Sequence, residues 1–136
     1  MFGKNAGGAP QNSIDSLIGV GTRIEGNVFF SGGLRVDGDV CGNISSENPQ
    51  EGTLVISEKA SVEGRITVSH VVVNGTVTGP VIADGSLELR PSARITGDVE
   101  YNQIEMQQGS VVQGQMVHRL NNNDKTAVEL KLASSS

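Results

Sequence analysis

Aromatic side chains are scarce in this chain, 3% of 136 residues, with no Trp, one Tyr and three Phe. A core built around large rings is therefore not the leading expectation. Cysteine occurs once, at Cys41, so no internal disulfide can form, which fits a reducing compartment. No apolar run approaches the ~20 residues of a spanning helix, and no signal-peptide core follows Met1; the expected location is the cytoplasm. Lys and Arg total 10 against 15 Asp and Glu, and the net charge of −5 argues against nucleic acid as a partner.

Residues able to carry chemistry are thin as well. The two histidines, His70 and His118, lie three repeats apart, whereas a catalytic zinc ion wants three converging ligands, so no metal is expected. Each reads as a strand-end or corner residue facing water. Cys41 follows Val40 at an outward position with no His nearby in sequence, and reads as a surface thiol rather than a nucleophile. Glu25, Glu63, Glu88, Asp98 and Glu105 share outward parity and read as a solvated face balanced by Arg35, Arg65 and Arg94. No GxGxxG follows a strand and no GK[ST] loop is present, so neither a nucleotide nor another cofactor is expected, and no catalytic residue is assigned.

Glycine, by contrast, is plentiful, 18 residues, and regularly placed. One phrase, apolar-x-Gly-x-apolar, returns at Ile24–Val28, Val40–Ile44, Val62–Ile66, Val77–Val81, Ile95–Val99 and Val112–Met116. A second phrase, apolar-x-apolar, precedes each copy: Ile18/Val20, Leu34/Val36, Leu54/Ile56, Val71/Val73, Leu87/Leu89 and Ile104/Met106. Their first members are 16, 20, 17, 16 and 17 residues apart, and the interval of 20 holds the polar stretch 45–52, read as a corner insertion. Apolar residues two apart mark strands, and two short strands per unit cannot bury an inward face alone. Stacking such units at the ~4.8 Å strand spacing gives a continuous core, and hence an all-β, single-domain parallel β-helix of about six coils. Four apolar positions in each of six units supply 24 inward side chains, mostly β-branched or Leu, which suits a narrow tube. The Gly between them implies a bend or a close backbone approach.

The chain divides into an N-terminal tail over 1–16, the solenoid over 17–119 and a C-terminal tail over 120–136, where Val128, Leu130 and Leu132 alternate as a short strand or partial cap would. The tail before Ile18 has no amphipathic pattern and the segment after Met116 becomes polar within a few residues, so both ends are expected to be open. Open ends on a strand stack invite end-to-end association, which repeated gives a filament. Between the members of the leading phrase the outward rank reads Gly19, Arg35, Val55, Val72, Glu88, Glu105; the neighbouring Val55 and Val72 form a candidate lateral contact.

The V-x-G-x-[VI] series, as in Val62-Glu63-Gly64-Arg65-Ile66 and Ile95-Thr96-Gly97-Asp98-Val99, together with the opening Met1-Phe2-Gly3-Lys4, resembles the bactofilins over residues 1 to about 119. The resemblance implies a right-handed parallel β-helix that polymerises without nucleotide through its ends. It further implies attachment to the inner face of the cytoplasmic membrane and the positioning of cell-wall or morphogenesis proteins. Met1, Phe2 and Lys4 match the family's membrane-targeting peptide. No Phe follows Phe30, where the family often has an aromatic residue near the C-terminal end of the core; Met116, Val117 and Leu120 would serve there, with Ile18 and Val20 at the other end. Three other readings stand beside this one, the least supported being a passive extracellular β-helix, against which the absent signal peptide counts. A hexapeptide-repeat enzyme would need strict coils of 18 and functional His residues, which the spacings and composition do not supply. A non-polymerising β-helical regulator of cell division would share the fold and differ in staying small.

Overall fold

The computed structural model describes residues 14–48 and 51–119, and every regular element in them is a strand. The first coil holds β1 (Ser16–Ile18), β2 (Arg23–Glu25) and β3 (Val28–Phe30); the second holds β4 (Gly33–Val36), β5 (Asp39–Cys41) and β6 (Ile44–Ser46). The third holds β7 (Thr53–Ile56) and β8 (Ser61–Glu63), then enters β9 (Ile66–Val73), which turns a corner into the fourth. After β10 (Thr76–Thr78), β11 (Val81–Leu89) does the same into the fifth, and after β12 (Arg94–Thr96), β13 (Val99–Met106) leads into the sixth, closed by β14 (Val111–Gln113) and β15 (Met116–His118). All pairings are parallel and join each strand to its counterpart one coil away. The fold is a parallel β-helix.

Each coil has three strands, not the two expected. The first face stacks β1, β4, β7 and the second halves of β9, β11 and β13. The second stacks β2, β5, β8, β10, β12 and β14, and the third stacks β3, β6, the first halves of β9, β11 and β13, and β15. The sequence hides the third face because apolar-x-Gly-x-apolar spans a corner, with its first apolar residue on the second face and its last on the third. At that corner the Gly has positive φ, and each stacks on the one before. A Cβ at Gly97 would lie 2.5 Å from the Gly79 carbonyl oxygen, so a side chain is excluded there. The next residue closes the corner: Asn27 Oδ1 accepts from Asn43 N–H at 3.0 Å, and Asn43 Oδ1 accepts from Arg65 N–H at 3.0 Å.

Inside the tube, like residues lie over like. The column Val28, Ile44, Ile66, Val81, Val99, Met116 runs the full length, with its four middle members fully buried. A second column on the same face runs Phe30, Ser46, Val68, Ala83, Tyr101, His118, small in the middle and aromatic at both ends. Phe30 is only 7% exposed although it sits in the terminal coil, and it packs within the core cluster. Ser45 and Ser46, read as the start of the corner insertion, instead belong to β6 and pair with Phe29 and Phe30 of the coil before; Glu47, Asn48, Glu51 and Gly52 lie between β6 and β7.

In the first coil the expected phase is off by two residues. Ser16 pairs with Leu34 and Ile18 with Val36, so Val20 lies beyond β1 in the turn. The outward rank accordingly begins with Leu17, not Gly19, and continues through Arg35, Val55, Val72, Glu88 and Glu105.

Candidate polymer interface

The end coils differ from the others in their backbone. Interior strands pair on both sides, whereas β1, β2 and β3 pair only with the second coil, and β14, β15 and the second half of β13 pair only with the fifth. Each end therefore presents one unpaired strand edge on all three faces among the described residues. Such edges are templates for another chain.

Side chains mark the same places. Among the described residues, the large hydrophobic side chains that stand exposed are Ile14, Leu17, Val20 and Phe29 in the first coil and Met106, Val111, Met116 and Val117 in the last. None lies between. Ile24 and Val28 at one end, and Ile104 and Val112 at the other, are inward-facing but only partly buried, since no further coil covers them.

The residues singled out from the sequence fall into distinct settings. Ile18 is 8% exposed and closes the first coil from within, so its side chain is not a surface contact as expected. Val20 is 69% exposed on the turn between β1 and β2. Met116 lies on the open cross-section at 38% exposure, while Val117 points outward on the flank of the third face. Leu120, Met1, Phe2 and Lys4 lie outside the described residues. Val55 and Val72 are register partners, half-buried on the first face. Leu17, Phe29, Met106 and Val111 were missed; their signal was membership of the first and last repeats, where outward or inward parity no longer decides exposure.

Polar groups frame the C-terminal end. Arg119 approaches Glu100 at 3.5 Å and Asp84 at 3.9 Å, and His118 packs on Tyr101 with ring centroids 5.6 Å apart. His70, expected to face water, is half-buried instead, its Nδ1 2.8 Å from the Ser86 hydroxyl. Among the described residues no three of His, Cys, Asp and Glu gather as a metal-binding group. No described helix is long and apolar enough to cross a membrane.

The family model described as Bactofilin, polymer-forming cytoskeletal, matches residues 16–117, all but the last strand residue of the β-helix. The chain belongs to the bactofilin family. Bactofilin BacO of Myxococcus xanthus is 28% identical over 100 residues, 74% of this chain and 76% of that protein. Bactofilin BacP of the same organism is 27% identical over 92 residues, 66% of this chain but only 38% of BacP. No solved structure matches. As a bactofilin, the chain falls in a polymer-forming, structural family rather than an enzymatic one.

Proposed function

We propose that this bactofilin assembles without nucleotide into filaments through contacts between the ends of its β-helix. The observation that carries the reading is the confinement, among the described residues, of exposed large hydrophobic side chains to the first and last coils, beside unpaired strand edges. A second copy stacked on either end extends the ladders and covers Val28, Ile24, Val112 or Met116. The filament then lies at the inner face of the cytoplasmic membrane and positions cell-wall or morphogenesis proteins. Phe2 supplies an interfacial ring and Lys4 a cation for anionic lipid. One such peptide binds weakly, but many on one polymer bind strongly.

Negative-stain electron microscopy of the purified chain in nucleotide-free buffer tests assembly directly. Long uniform filaments are expected; small particles alone would return the protein to the regulator reading. Met116→Arg places an unpaired charge in each C-terminal contact and should move the protein from pellet to supernatant with its circular dichroism unchanged. Deletion of residues 2–8 should abolish cosedimentation with anionic liposomes while filaments persist, and undiminished binding would reject the tail as anchor.

A further inference from the structure

The outward side of the first face carries a charge pattern that repeats in reverse. In the second coil Arg35 precedes Asp37, with Nε to carboxylate 3.0 Å; in the fifth Glu88 precedes Arg90, with carboxylate to Nε 2.9 Å. Register puts Arg35, Val55, Val72 and Glu88 in one column. Asp37, Ser57, Asn74 and Arg90 form the next, each donating its N–H to the preceding coil. The two charged rows thus flank two central coils that are uncharged in these columns, Val55 with Ser57 and Val72 with Asn74; Glu58 and Lys59 follow Ser57 at the corner, where Lys59 adds to the positive field on Asp37.

We propose that this face binds the same face of a second copy with the solenoid axes antiparallel. A twofold axis along the strand direction, between the third and fourth coils, lays the second coil of each copy on the fifth of the other and keeps the columns aligned. Arg35 then meets Glu88 and Asp37 meets Arg90, each twice by symmetry, around a centre where Val55 meets Val72. The contact is isologous and closes as a pair. Glu105 falls opposite Leu17 at the rim, where it stays hydrated. The same operation on the second face matches only Asp39 with Arg94, and on the third face it matches no opposite charges. Parallel axes would also bring opposite charges together on the first face, but would set Val55 on Ser57 and Val72 on Asn74.

Six strands about 4.8 Å apart and five residues of about 3.3 Å give a face on the order of 450 Å². Two faces together fall short of the ~1,200 Å² of a stable pair, so the contact is weak singly and holds when repeated along polymers. It does not depend on end-to-end assembly, although the bundling readout rests on that reading. The test uses the full chain, Arg35→Glu/Asp37→Arg, Glu88→Arg/Arg90→Glu, and all four changes together. Each double swap keeps a pair on its own strand but sets like charges across the antiparallel contact; the fourfold swap restores attraction.

Electron microscopy should show wild-type filaments bundled at about 0.1 M salt and separate near 1 M, where screening reaches about 3 Å. Each double swap should give single filaments of undiminished length, and the fourfold swap should bundle again. Unchanged bundling in the double swaps overturns the antiparallel arrangement, since a parallel one survives them, and wild-type filaments that never bundle overturn the contact. If no filaments form, the end-contact reading fails separately. Sedimentation equilibrium at about 1 mM protein, where a contact of millimolar Kd is populated, then decides: a monomer–dimer equilibrium lost in the double swaps and regained in the fourfold supports the face, and monomer throughout at that concentration rejects it.

Discussion

Replacing Gly64 with alanine probes the stacked corner, and Gly26→Ala supplies its control. Both residues have positive φ, +148° and +135°. Holding alanine there costs on the order of 1–3 kcal/mol in either case. Their surroundings differ. The new Cβ at Gly64 would collide with the Gly42 carbonyl oxygen of the coil before, whereas at Gly26 nothing lies within 4 Å. Relieving the collision means displacing packed backbone, at about 1–3 kcal/mol more. Since 1 kcal/mol moves the Tm of a domain this size by roughly 4–8 °C, Gly64→Ala should melt about 10 °C below Gly26→Ala, and both below wild type. Thermal circular dichroism measures the gap. Equal melting of the two variants would refute the collision and leave the dihedral as the whole effect.

The control also reports on assembly. At each later corner the missing Cβ points at the preceding coil, so at Gly26 it points out of the N-terminal end. Gly26→Ala should therefore stay folded at room temperature yet pellet less than wild type, because a docked copy meets the methyl group. Gly64→Ala, kept well below its Tm, should pellet normally. Wild-type pelleting by Gly26→Ala would mean that partner strands do not approach this corner.

Other expectations follow from the core and the first face. Leu54→Ala removes a fully buried side chain from the middle of the tube and should cost about 2–5 kcal/mol in chemical denaturation with an unchanged m-value. The Asp37 carboxyl is held below its usual 3.8 chiefly by the Ser57 hydroxyl, with the Arg35 guanidinium adding to this. A lowered folded-state value stabilises the fold above the unfolded value and is lost as pH falls through the folded one, so wild type should lose more Tm than Asp37→Asn on acidification below about pH 4. Equal acid limbs would remove Asp37 from the pH response.

The repeat and the strand period were legible because every interior coil obeys one parity rule. Leu34, Leu54, Val71 and Leu87 all point inward where the sequence puts them. The third face was not legible. Positive φ at the corner Gly turns the chain between two apolar residues whose spacing still reads as one strand. The first coil misled for a related reason: Ile18 and Val20 mimic the leading phrase, but hydrogen bonding pairs Ser16 and Ile18 with Leu34 and Val36, and a polar Ser16 carries no hydrophobic signal. Among the described residues, the end coils were legible as ends but not residue by residue. Exposure of Leu17 and Phe29 follows from the absence of a neighbour, which no local pattern records.

Position along a column, rather than residue type, divides stability from assembly. Val28, Ile44, Ile66, Val81, Val99 and Met116 occupy one site in six successive coils. In the middle four, a neighbour on each side removes the side chain from water, so substitution is felt as lost burial and a cavity. Val28 and Met116 have a neighbour on one side only, and in the proposed end contact a docked copy would supply the missing half of their burial. A charge at Ile66 should therefore unfold the protein, while the same charge at Met116 should leave the fold and stop growth. The interface has no motif of its own. In the proposed contact it is the repeat's own core where the repeat stops, so position in the stack marks it rather than any one residue type.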